Sequence, residues 1–322
     1  MSIIAALLII TGGCERGRQA EPISETRLML DTYCAITIYE PRDRDILTKA
    51  LDLCADYEML LSISVEGSDV WRINHAGGAP VTVAPQTAEI IREGLVYGEL
   101  SGGMFDITIG RLSTLWDFTG QSGVPDASDI AFARDTVDYR QVIIDGDTVR
   151  LENPEAWIDL GGIAKGYIAD KVAELLIESG VMAAVVDLGG NIVVVGQKPD
   201  GSRWNVGVTK PFSDRNDLIG VVETEAASVV SSGVYERQFE QNGVVYHHIL
   251  DPNTGMPVDS DVVGATVVSE SSMEGDALST TILLHGSESV EALFDEVPGF
   301  IGTVLALADG EVISYGDVDF HD

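Results

Sequence analysis

The chain has 322 residues, of which 45% are hydrophobic, and its 52 acidic and 19 basic side chains give a formal net charge of −33. A surface this negative repels polynucleotides, so nucleic acid is excluded as a partner. The apolar content is sufficient for the core of one large domain or of two ordinary domains. Because the acidic residues are spread over the whole length, they indicate a general surface property such as adaptation to high salt. An anionic ligand bound by so acidic a protein needs a cation beside it at the binding site.

The N-terminus has the order of a bacterial lipoprotein signal. An apolar segment of ten residues, too short to span a membrane, precedes Thr11-Gly12-Gly13-Cys14 and a polar stretch up to residue 25. On this interpretation residues 1–25 are a leader and tether, residues 26–322 form a single domain, and the protein lies outside the cytoplasmic membrane, lipid-anchored at Cys14. The alternative is a plain hydrophobic terminus, since no basic residue precedes the apolar run and Thr11 stands where Leu is usual.

Hydrophobic periodicity predicts the elements that follow in the chain. Apolar residues at helical spacing predict helices over Asp45–Leu61, Pro85–Leu100 and residues 163–179. Alternating β-branched and aromatic residues predict strands at 27–40, 156–160 and 183–188, and Asp-Gly or Asn-Gly pairs predict hairpin turns near residues 146, 243 and 310. Short helices among many hairpins predict an α+β fold of largely antiparallel sheets with packed helices.

Three smaller features carry expectations of their own. Cys34 and Cys54 lie in apolar patterns without metal-ligand spacing, which predicts buried thiols. The apolar segment 104–110 is expected to bring Asp106 and Thr108 to the surface, and Trp116 is expected in the core or in a pocket wall.

Asp-Leu-Gly-Gly occurs twice, at residues 159–162 and 187–190, each time after a predicted strand. Glycines between a strand and a helix let backbone N–H groups face an anion, although close helix packing explains such glycines equally well. Two such turns predict a glycine-lined cleft where bulky side chains would block a ligand. Neither turn has the spacing of a dinucleotide-binding or P-loop motif.

The stretch from residue 228 to 286 holds most of the reactive side chains. A hairpin turn at Asn242-Gly243 delivers His247 and His248 to a strand end, and the turn-forming residues 251–255 follow at once. Asp276 and Thr280 are four apart in a helical pattern, which stacks two hard oxygen ligands suited to Mg²⁺ on one face. The plainer alternatives are histidines at a strand rim and an exposed helix face.

Seven segments in this order resemble the ApbE-type FAD:protein FMN transferases: LMLDT, GGMFDITIG, DLGGIAKGYIADK, VDLGGNI, SSGVYER, YHHILDPNTGMP and GDALSTTILLHG. They run from Leu28 to Gly286. The resemblance implies an α+β, T-fold-like architecture with FAD in a cleft between two lobes and Mg²⁺ at the pyrophosphate. It also implies a reaction that splits FAD, releases AMP and joins the FMN phosphate to a Thr or Ser hydroxyl of an acceptor protein.

The resemblance also implies roles for individual residues. The metal ligands fall on the backbone carbonyl of Ala164 and on Asp276, Ser279 and Thr280. The catalytic histidine falls on His248, with Asp276 also able to orient it. The implied FAD contacts are Met29, Asn74, Met104, Phe105, Asp106, Gly161, Tyr167 and Leu250. One departure is Leu30, which stands where the family often has Met and puts the flavin contact of Met29 in question.

The chemistry of the residues agrees with these roles. A hydroxyl is a weak nucleophile that needs a base near neutral pH, and His has the suitable unperturbed pKa. An anionic diphosphate needs a metal or cations, and Lys165 and Arg237 are the basic residues within the motif segments. Two alternatives stay open: an Mg²⁺-dependent FAD pyrophosphatase that yields free FMN and AMP, and a non-enzymatic FAD-binding lipoprotein.

The resemblance implies acceptor flavoproteins among membrane redox complexes, such as sodium-pumping quinone reductases or Rnf-type complexes. Acceptors of the family carry a pattern of Asp-small-x-x-x-Ser/Thr-small-Ala-Thr. Residues 259–266 of this chain approach that pattern but lack its spacing and one hydroxyl, so the chain is not expected to be an acceptor itself.

Overall fold

The computed structural model describes residues 21–40, 42–118, 123–213, 217–225 and 227–322. Residues 1–20 of the predicted leader, including Cys14, lie outside the described residues, so the lipid anchor stays a prediction. Within these ranges, every helix is too short or too polar to cross a membrane.

The described residues form helices and strands with the following bounds. The helices are α1 (Asp45–Leu61), α2 (Asp69–Asn74), α3 (Pro85–Leu100), α4 (Gly110–Trp116), α5 (Ala127–Arg134), α6 (Ala164–Glu178), α7 (Ser272–His285) and α8 (Val290–Glu296). The strands are β1 (Ile23–Met29), β2 (Thr32–Ile38), β3 (Val81–Thr82), β4 (Val142–Asp145), β5 (Thr148–Leu151), β6 (Ala183–Leu188), β7 (Asn191–Gly196), β8 (Trp204–Thr209), β9 (Leu218–Thr224), β10 (Ser228–Gly233), β11 (Gln238–Gln241), β12 (Val244–His247), β13 (Val262–Ser269), β14 (Phe300–Leu307), β15 (Val312–Gly316) and β16 (Asp319–His321).

An eight-stranded antiparallel sheet is the largest unit of the described fold, with strand order β1-β2-β6-β7-β10-β13-β14-β15. The strands β16-β9-β8 form a three-stranded sheet, β3-β5-β4 form another, and β11 and β12 form a separate hairpin. The prediction of an α+β fold with largely antiparallel sheets is therefore confirmed.

The large sheet lies between two apolar layers, because its strands alternate their side chains between the two faces. On β7, Val193 and Val195 belong to the main core, which includes residues of α1, α6 and α7. Val194 points the other way, into a smaller core with Trp204 and the three-stranded sheet of β8, β9 and β16. The helices that carry the candidate site thus pack on one face of the sheet.

Local sequence signals explain many element boundaries. The helices α1 and α3 have the predicted bounds, and Ser68 accepts a hydrogen bond from the Trp71 N–H at the start of α2. Asn242 and Gly243 adopt φ angles of 55° and 80° in the β11–β12 turn, which a tight hairpin requires. Strand β1 begins at Ile23, three residues before the domain boundary expected at residue 26.

The predicted strand at residues 156–160 is wrong, because only a single bridge joins Trp157 to Ile109. The neighbouring polar groups bind elsewhere: the Ile158 N–H donates to Asn74 Oδ1 at 2.7 Å and the Asp159 N–H to the Ile107 carbonyl at 2.8 Å. The segment is extended, but the side-chain amide of Asn74 makes the hydrogen bonds to Ile158 that a neighbouring strand would make in a sheet.

Cys34 and Cys54 are buried free thiols, as the sequence predicts. Burial raises the pKa of each thiol to about 12, so both are protonated and unreactive at neutral pH.

Candidate active site

The helices α6 and α7 cross in close contact at Gly166. A Cβ atom on Gly166 would lie 2.2 Å from the carbonyl oxygen of Ser272, so only glycine allows this approach. At the crossing, the Gly166 N–H donates to Asp276 Oδ2 at 2.9 Å. The contact therefore fixes Asp276 beside the first turn of α6, which begins at Ala164.

Asp170 joins the same two helices one turn further along α6. Its carboxylate accepts hydrogen bonds from the Ser272 N–H at 2.8 Å, the Met273 N–H at 3.0 Å and the Ser271 hydroxyl at 2.6 Å. The two N–H groups belong to the first turn of α7, where no intrahelical partner exists. Asp170 was not among the residues predicted from the sequence, because no local pattern indicates that α6 meets the start of α7.

Asp276 and Thr280 present oxygen atoms on one side of α7. Asp276 is only 1% exposed, and Lys165 Nζ lies 3.5 Å from its Oδ1 atom. A Cβ atom on Gly162 would lie 3.7 Å from Thr280 Oγ1, so this hydroxyl faces the glycine turn before α6. The Thr280 hydroxyl makes no hydrogen bond to any residue that the structure describes. These hard oxygen donors, together with the Ala164 carbonyl in the adjacent turn, fit an Mg²⁺ ion.

Ser279 lies between Asp276 and Thr280 but has a different set of contacts. Its hydroxyl shares a hydrogen bond of 2.8 Å with the Ser232 hydroxyl and donates to the Asp276 carbonyl at 2.9 Å. The side chain therefore ties α7 to β10. Its role as a metal ligand stays a prediction.

His248 directly follows β12 and is half-buried. Its Nδ1 atom is buried without a hydrogen-bond partner among the residues that the structure describes. Burial, with a smaller contribution from the positive charge of Arg237, lowers the pKa of His248 to about 4. The imidazole is thus neutral at pH 7 and has a nitrogen free to accept a proton.

Lys165 connects the histidine to the carboxylate electrostatically. The ammonium group is paired with Asp276, and its charge also contributes to the lowered pKa of His248. Arg237 contacts the same histidine through its backbone, because the His248 N–H donates to the Arg237 carbonyl at 3.1 Å. The two cations expected from the sequence therefore lie beside the two predicted catalytic residues.

Three of the predicted FAD contacts lie around the glycine turn before α6 and the turn after His248. The Phe105 ring faces Gly162, where an added Cβ would lie 3.0 Å from Phe105 Cε2. Met104 Sδ accepts a hydrogen bond from the Asn253 side chain at 3.2 Å. Leu250 is buried in an apolar cluster with Trp116. The structure thus brings Met104, Phe105 and Leu250 close to the two turns.

Asp106 has a structural role that the sequence did not reveal. Its Oδ1 accepts from the Thr108 N–H and hydroxyl at 2.7 and 2.6 Å, and its Oδ2 accepts from the Tyr139 N–H at 2.8 Å. The expectation that Asp106 and Thr108 reach the surface is wrong, because they are only 8% and 0% exposed. The carboxylate turns inward to satisfy backbone N–H groups that the turn leaves without partners.

The other predicted FAD contacts lie in different surroundings. Asn74 uses its side-chain amide to bind both backbone polar groups of Ile158. Tyr167 is buried in the core and donates from its hydroxyl to Glu89 Oε2 at 2.7 Å. Met29 is the last residue of β1, half-buried beside the main core. Their roles in binding FAD stay predictions.

The two Asp-Leu-Gly-Gly turns share one hydrogen bond but differ in backbone, since Gly189 and Gly190 have φ angles of 66° and 104° whereas Gly161 and Gly162 do not have positive φ. Asp159 Oδ1 accepts from the Gly161 N–H at 2.8 Å, and Asp187 Oδ1 accepts from the Gly189 N–H at 3.0 Å. Each Asp therefore stabilises its own turn, and these amides are not free for an anion. Gly189 also touches another motif, since a Cβ there would lie 2.1 Å from Thr32 Oγ1. Gly189 therefore allows close contact with the start of β2, and the glycine-lined cleft stays a prediction.

A second cluster of metal-binding residue types lies at the three-stranded sheet. Glu223, Asp319 and His321 have ligand atoms within 4.8 Å of one another. The Arg203 guanidinium forms ion pairs with both Glu223 and Asp319, and these two side chains are 37% and 40% exposed, whereas the Asp276 side chain is buried. The region around Asp276 is the better candidate for a metal that holds a phosphate.

Comparison with known proteins identifies the class first. A Treponema pallidum protein named FAD:protein FMN transferase is 34% identical over 320 residues, covering 93% of this chain and 88% of the relative. A Klebsiella pneumoniae protein of the same name is 39% identical over 270 residues, covering 82% and 83%. The fold and these relatives define a transferase enzyme.

The sequence profile of the ApbE family matches residues 30–303, and the chain belongs to this family. The crystal structure of the ApbE protein of Thermotoga maritima has a TM-score of 0.83 and 31% identity, covering 92% of this chain and 97% of the other. The flavin transferase ApbE of Vibrio cholerae has a TM-score of 0.81 and 27% identity, covering 92% and 96%.

Proposed function

We propose that this protein transfers FMN from FAD to a serine or threonine hydroxyl of an acceptor protein, with Mg²⁺ bound at Asp276, and releases AMP. The observation that carries the proposal is the junction of α6 and α7, where a buried carboxylate, a free hydroxyl and a lysine lie together. The names of the relatives support the same reaction.

The residues around Asp276 hold the diphosphate of FAD. A magnesium ion held by Asp276, Thr280 and the Ala164 carbonyl would neutralise charge on the phosphate oxygens as the bond to AMP breaks. Lys165 adds a second positive charge next to Asp276. In a chain with a net charge of −33, this local concentration of cations is what allows an anionic ligand to bind.

His248 acts as the general base. The acceptor oxygen attacks the phosphorus of the FMN half, its proton passes to the imidazole of His248, and the phosphorus–oxygen bond to AMP breaks. The neutral imidazole can take this proton at pH 7. In the free enzyme Lys165 and Arg237 oppose protonation, and the bound diphosphate offsets these charges, so FAD binding strengthens the base.

The direct test is an incubation of the protein with FAD, Mg²⁺ and an acceptor domain that carries the family pattern. We expect flavin fluorescence on the acceptor band of a denaturing gel, together with AMP in equal amount. Free FMN and AMP without labelled acceptor would identify an FAD pyrophosphatase instead. Bound FAD without AMP would identify a non-enzymatic flavin-binding protein.

We also propose that the chain acts outside the cytoplasmic membrane, anchored by lipid at Cys14, on acceptor subunits of membrane redox complexes. The leader pattern and the resemblance in sequence support this proposal. Cys14→Ala is expected to move the protein from the membrane fraction to the soluble fraction of fractionated cells. Equal membrane association of the variant would contradict the anchor.

A further inference from the structure

Strand β12 leads directly into His248 and has one unpaired edge. Its partner is β11, and the His248 N–H donates to the Arg237 carbonyl on that side. Because amides alternate in direction along an antiparallel strand, the N–H groups of Val245 and His247 point away from β11. Neither amide forms a hydrogen bond with a residue in the described part of the chain.

The side chains of Val245 and His247 line a cavity of about 270 Å³ on one face of the hairpin. The rest of the lining is mostly apolar and includes Val234, Val258, Val262, Val263 and Phe212. The opposite face of the hairpin is already occupied, because Phe239 and Tyr246 pack with Trp116. The cavity leaves the edge beside Val245 and His247 open, and the same edge is closed one residue beyond His248, where the Val258 N–H donates to the Ile249 carbonyl at 2.9 Å.

This edge lacks the protection that edge strands normally have. Natural proteins place lysine, other charged residues or proline on exposed edge strands to prevent pairing with another chain. Strand β12 has the sequence Val-Val-Tyr-His, and Val244 and Val245 are 49% and 51% exposed. In a protein with 52 acidic residues, an exposed strand edge without charged side chains is unusual. Its position next to the candidate base indicates a binding surface for a partner.

We propose that the acceptor protein binds here as an extended strand that pairs with the free edge of β12. This inference rests on the proposed transferase function and adds the docking mode of its protein substrate. Pairing with Val245 and His247 aligns the acceptor along the strand that ends at His248, which places its hydroxyl residue beside the imidazole. Main-chain hydrogen bonds provide affinity in such complexes, while side-chain pockets provide selectivity.

The lining of the cavity defines the chemistry of the docked segment. Aliphatic side chains fill a pocket walled by Val234, Val258 and Val262. Asp259 lies in the same wall, and Glu240 shares the hairpin face with Val245, so an acidic side chain that enters this cavity is repelled. The occupant is an extended hydroxyl-bearing segment with small or aliphatic neighbours.

Val245→Pro tests the pairing, because proline removes an N–H group that the fold does not use, and Val245→Ala, which keeps this N–H, accounts for the lost valine side chain. Ser314→Pro is the matched control on β15, the edge strand of the large sheet. There the Leu307 N–H donates to the Glu311 carbonyl, so by the same alternation the Ser314 amide also points outward. Both substitutions place proline on an exposed edge strand, where it is tolerated.

We expect Val245→Pro to raise the KM for an acceptor domain by about fivefold to tenfold, the effect of one lost hydrogen bond, with the Kd for FAD unchanged. Ser314→Pro is expected to change neither. An unchanged acceptor KM in a folded Val245→Pro variant would overturn the docking mode while the transferase function stands. Absence of flavin transfer by the unmutated protein would overturn the proposed function itself.

Hydrogen–deuterium exchange on the unmutated protein gives a second measurement that does not depend on a variant. A synthetic peptide with the Asp-small-x-x-x-Ser/Thr-small-Ala-Thr pattern serves as the probe. The amides of Val245 and His247 are expected to exchange rapidly in the free protein and to be protected by the peptide, whereas residues 312–316 are unaffected. Peptide binding without protection of residues 244–248 would contradict the proposal.

Discussion

The two halves of the candidate site differ in how completely their polar groups are paired. At the crossing of α6 and α7, Gly166, Asp170 and Ser279 all have hydrogen-bond partners across the helix or strand boundary. At the end of β12, the Nδ1 atoms of His247 and His248 are buried without partners. Among the described residues, Ser272 Oγ and Glu274 Oε1 at the crossing are also buried without partners, but the contacts between the two helices are paired, whereas both histidine rings at the strand end keep an unpaired nitrogen.

This difference indicates that the two halves have different roles in binding the substrates. The helix crossing is preorganised, so it can hold phosphate and metal without rearrangement during the reaction. Each unpartnered polar group at the strand end costs about 1–3 kcal/mol of stability, which a bound substrate can recover. We interpret the strand end as the part of the site that the two substrates complete.

The largest effect is expected from Asp276→Ala at the paired half. Loss of the carboxylate removes the metal and leaves the Gly166 N–H buried without an acceptor, so flavin transfer should fall by about three orders of magnitude. Asp276→Asn is the matched control for the fold, because its side-chain oxygen can still accept from Gly166. We expect the Asn variant to melt near the unmutated protein yet remain inactive at any Mg²⁺ concentration. Full activity of either variant would exclude the metal site.

His248→Ala should affect chemistry more than structure. We expect transfer to fall by about 10²-fold to 10⁴-fold with FAD affinity retained, as for loss of a general base. His321→Ala, which alters an exposed histidine paired with Asp319, is the control. Because the pKa of His248 is about 4 in the free enzyme, the acid limb of kcat/KM for FAD should lie well below pH 6.5. Flavin transfer by His248→Ala at the normal rate would remove the base assignment.

Gly166→Ala tests whether close contact defines the paired half. The added methyl group would meet the Ser272 backbone, so the helices must separate, and we expect a loss of about 3 kcal/mol of unfolding free energy. Weaker Mg²⁺ binding should accompany it. Ile177→Ala, at a 58% exposed position of the same helix, should change stability by less than about 0.5 kcal/mol. Chemical denaturation of both variants gives the comparison.

Glu274 is an exception within the paired half, because its Oε1 atom is buried without a partner. Burial, with the nearby charges of Glu270 and Asp170, raises the pKa of Glu274 to about 7. The folded state therefore prefers the protonated form, and stability from this group is present below pH 4.5 and lost as pH rises through 7. Glu274→Gln should raise the unfolding free energy by about 1 kcal/mol at pH 8 and by little at pH 4. Equal effects at both pH values would contradict the raised pKa.

The sequence determined most local structure, because the signals act over a few residues. Helical spacing gave α1 and α3 their bounds, and Asn242-Gly243 fixed the hairpin that carries His248. The stacking of Asp276 and Thr280 on one helix face also followed from their separation of four residues. Seven motifs in order were sufficient to indicate the ApbE family.

Tertiary contacts decided which polar groups are available to a ligand. The carboxylate of Asp106 points inward and accepts a hydrogen bond from the backbone N–H of Tyr139, which is distant in sequence. The side chain of Asn74 binds the backbone of Ile158, where a sheet would have a neighbouring strand. The crossing at Gly166, the contacts of Asp170 with α7 and the free edge of β12 depend on which elements become neighbours. No local pattern encodes those pairings, because burial and hydrogen-bond competition are settled only when distant segments pack together.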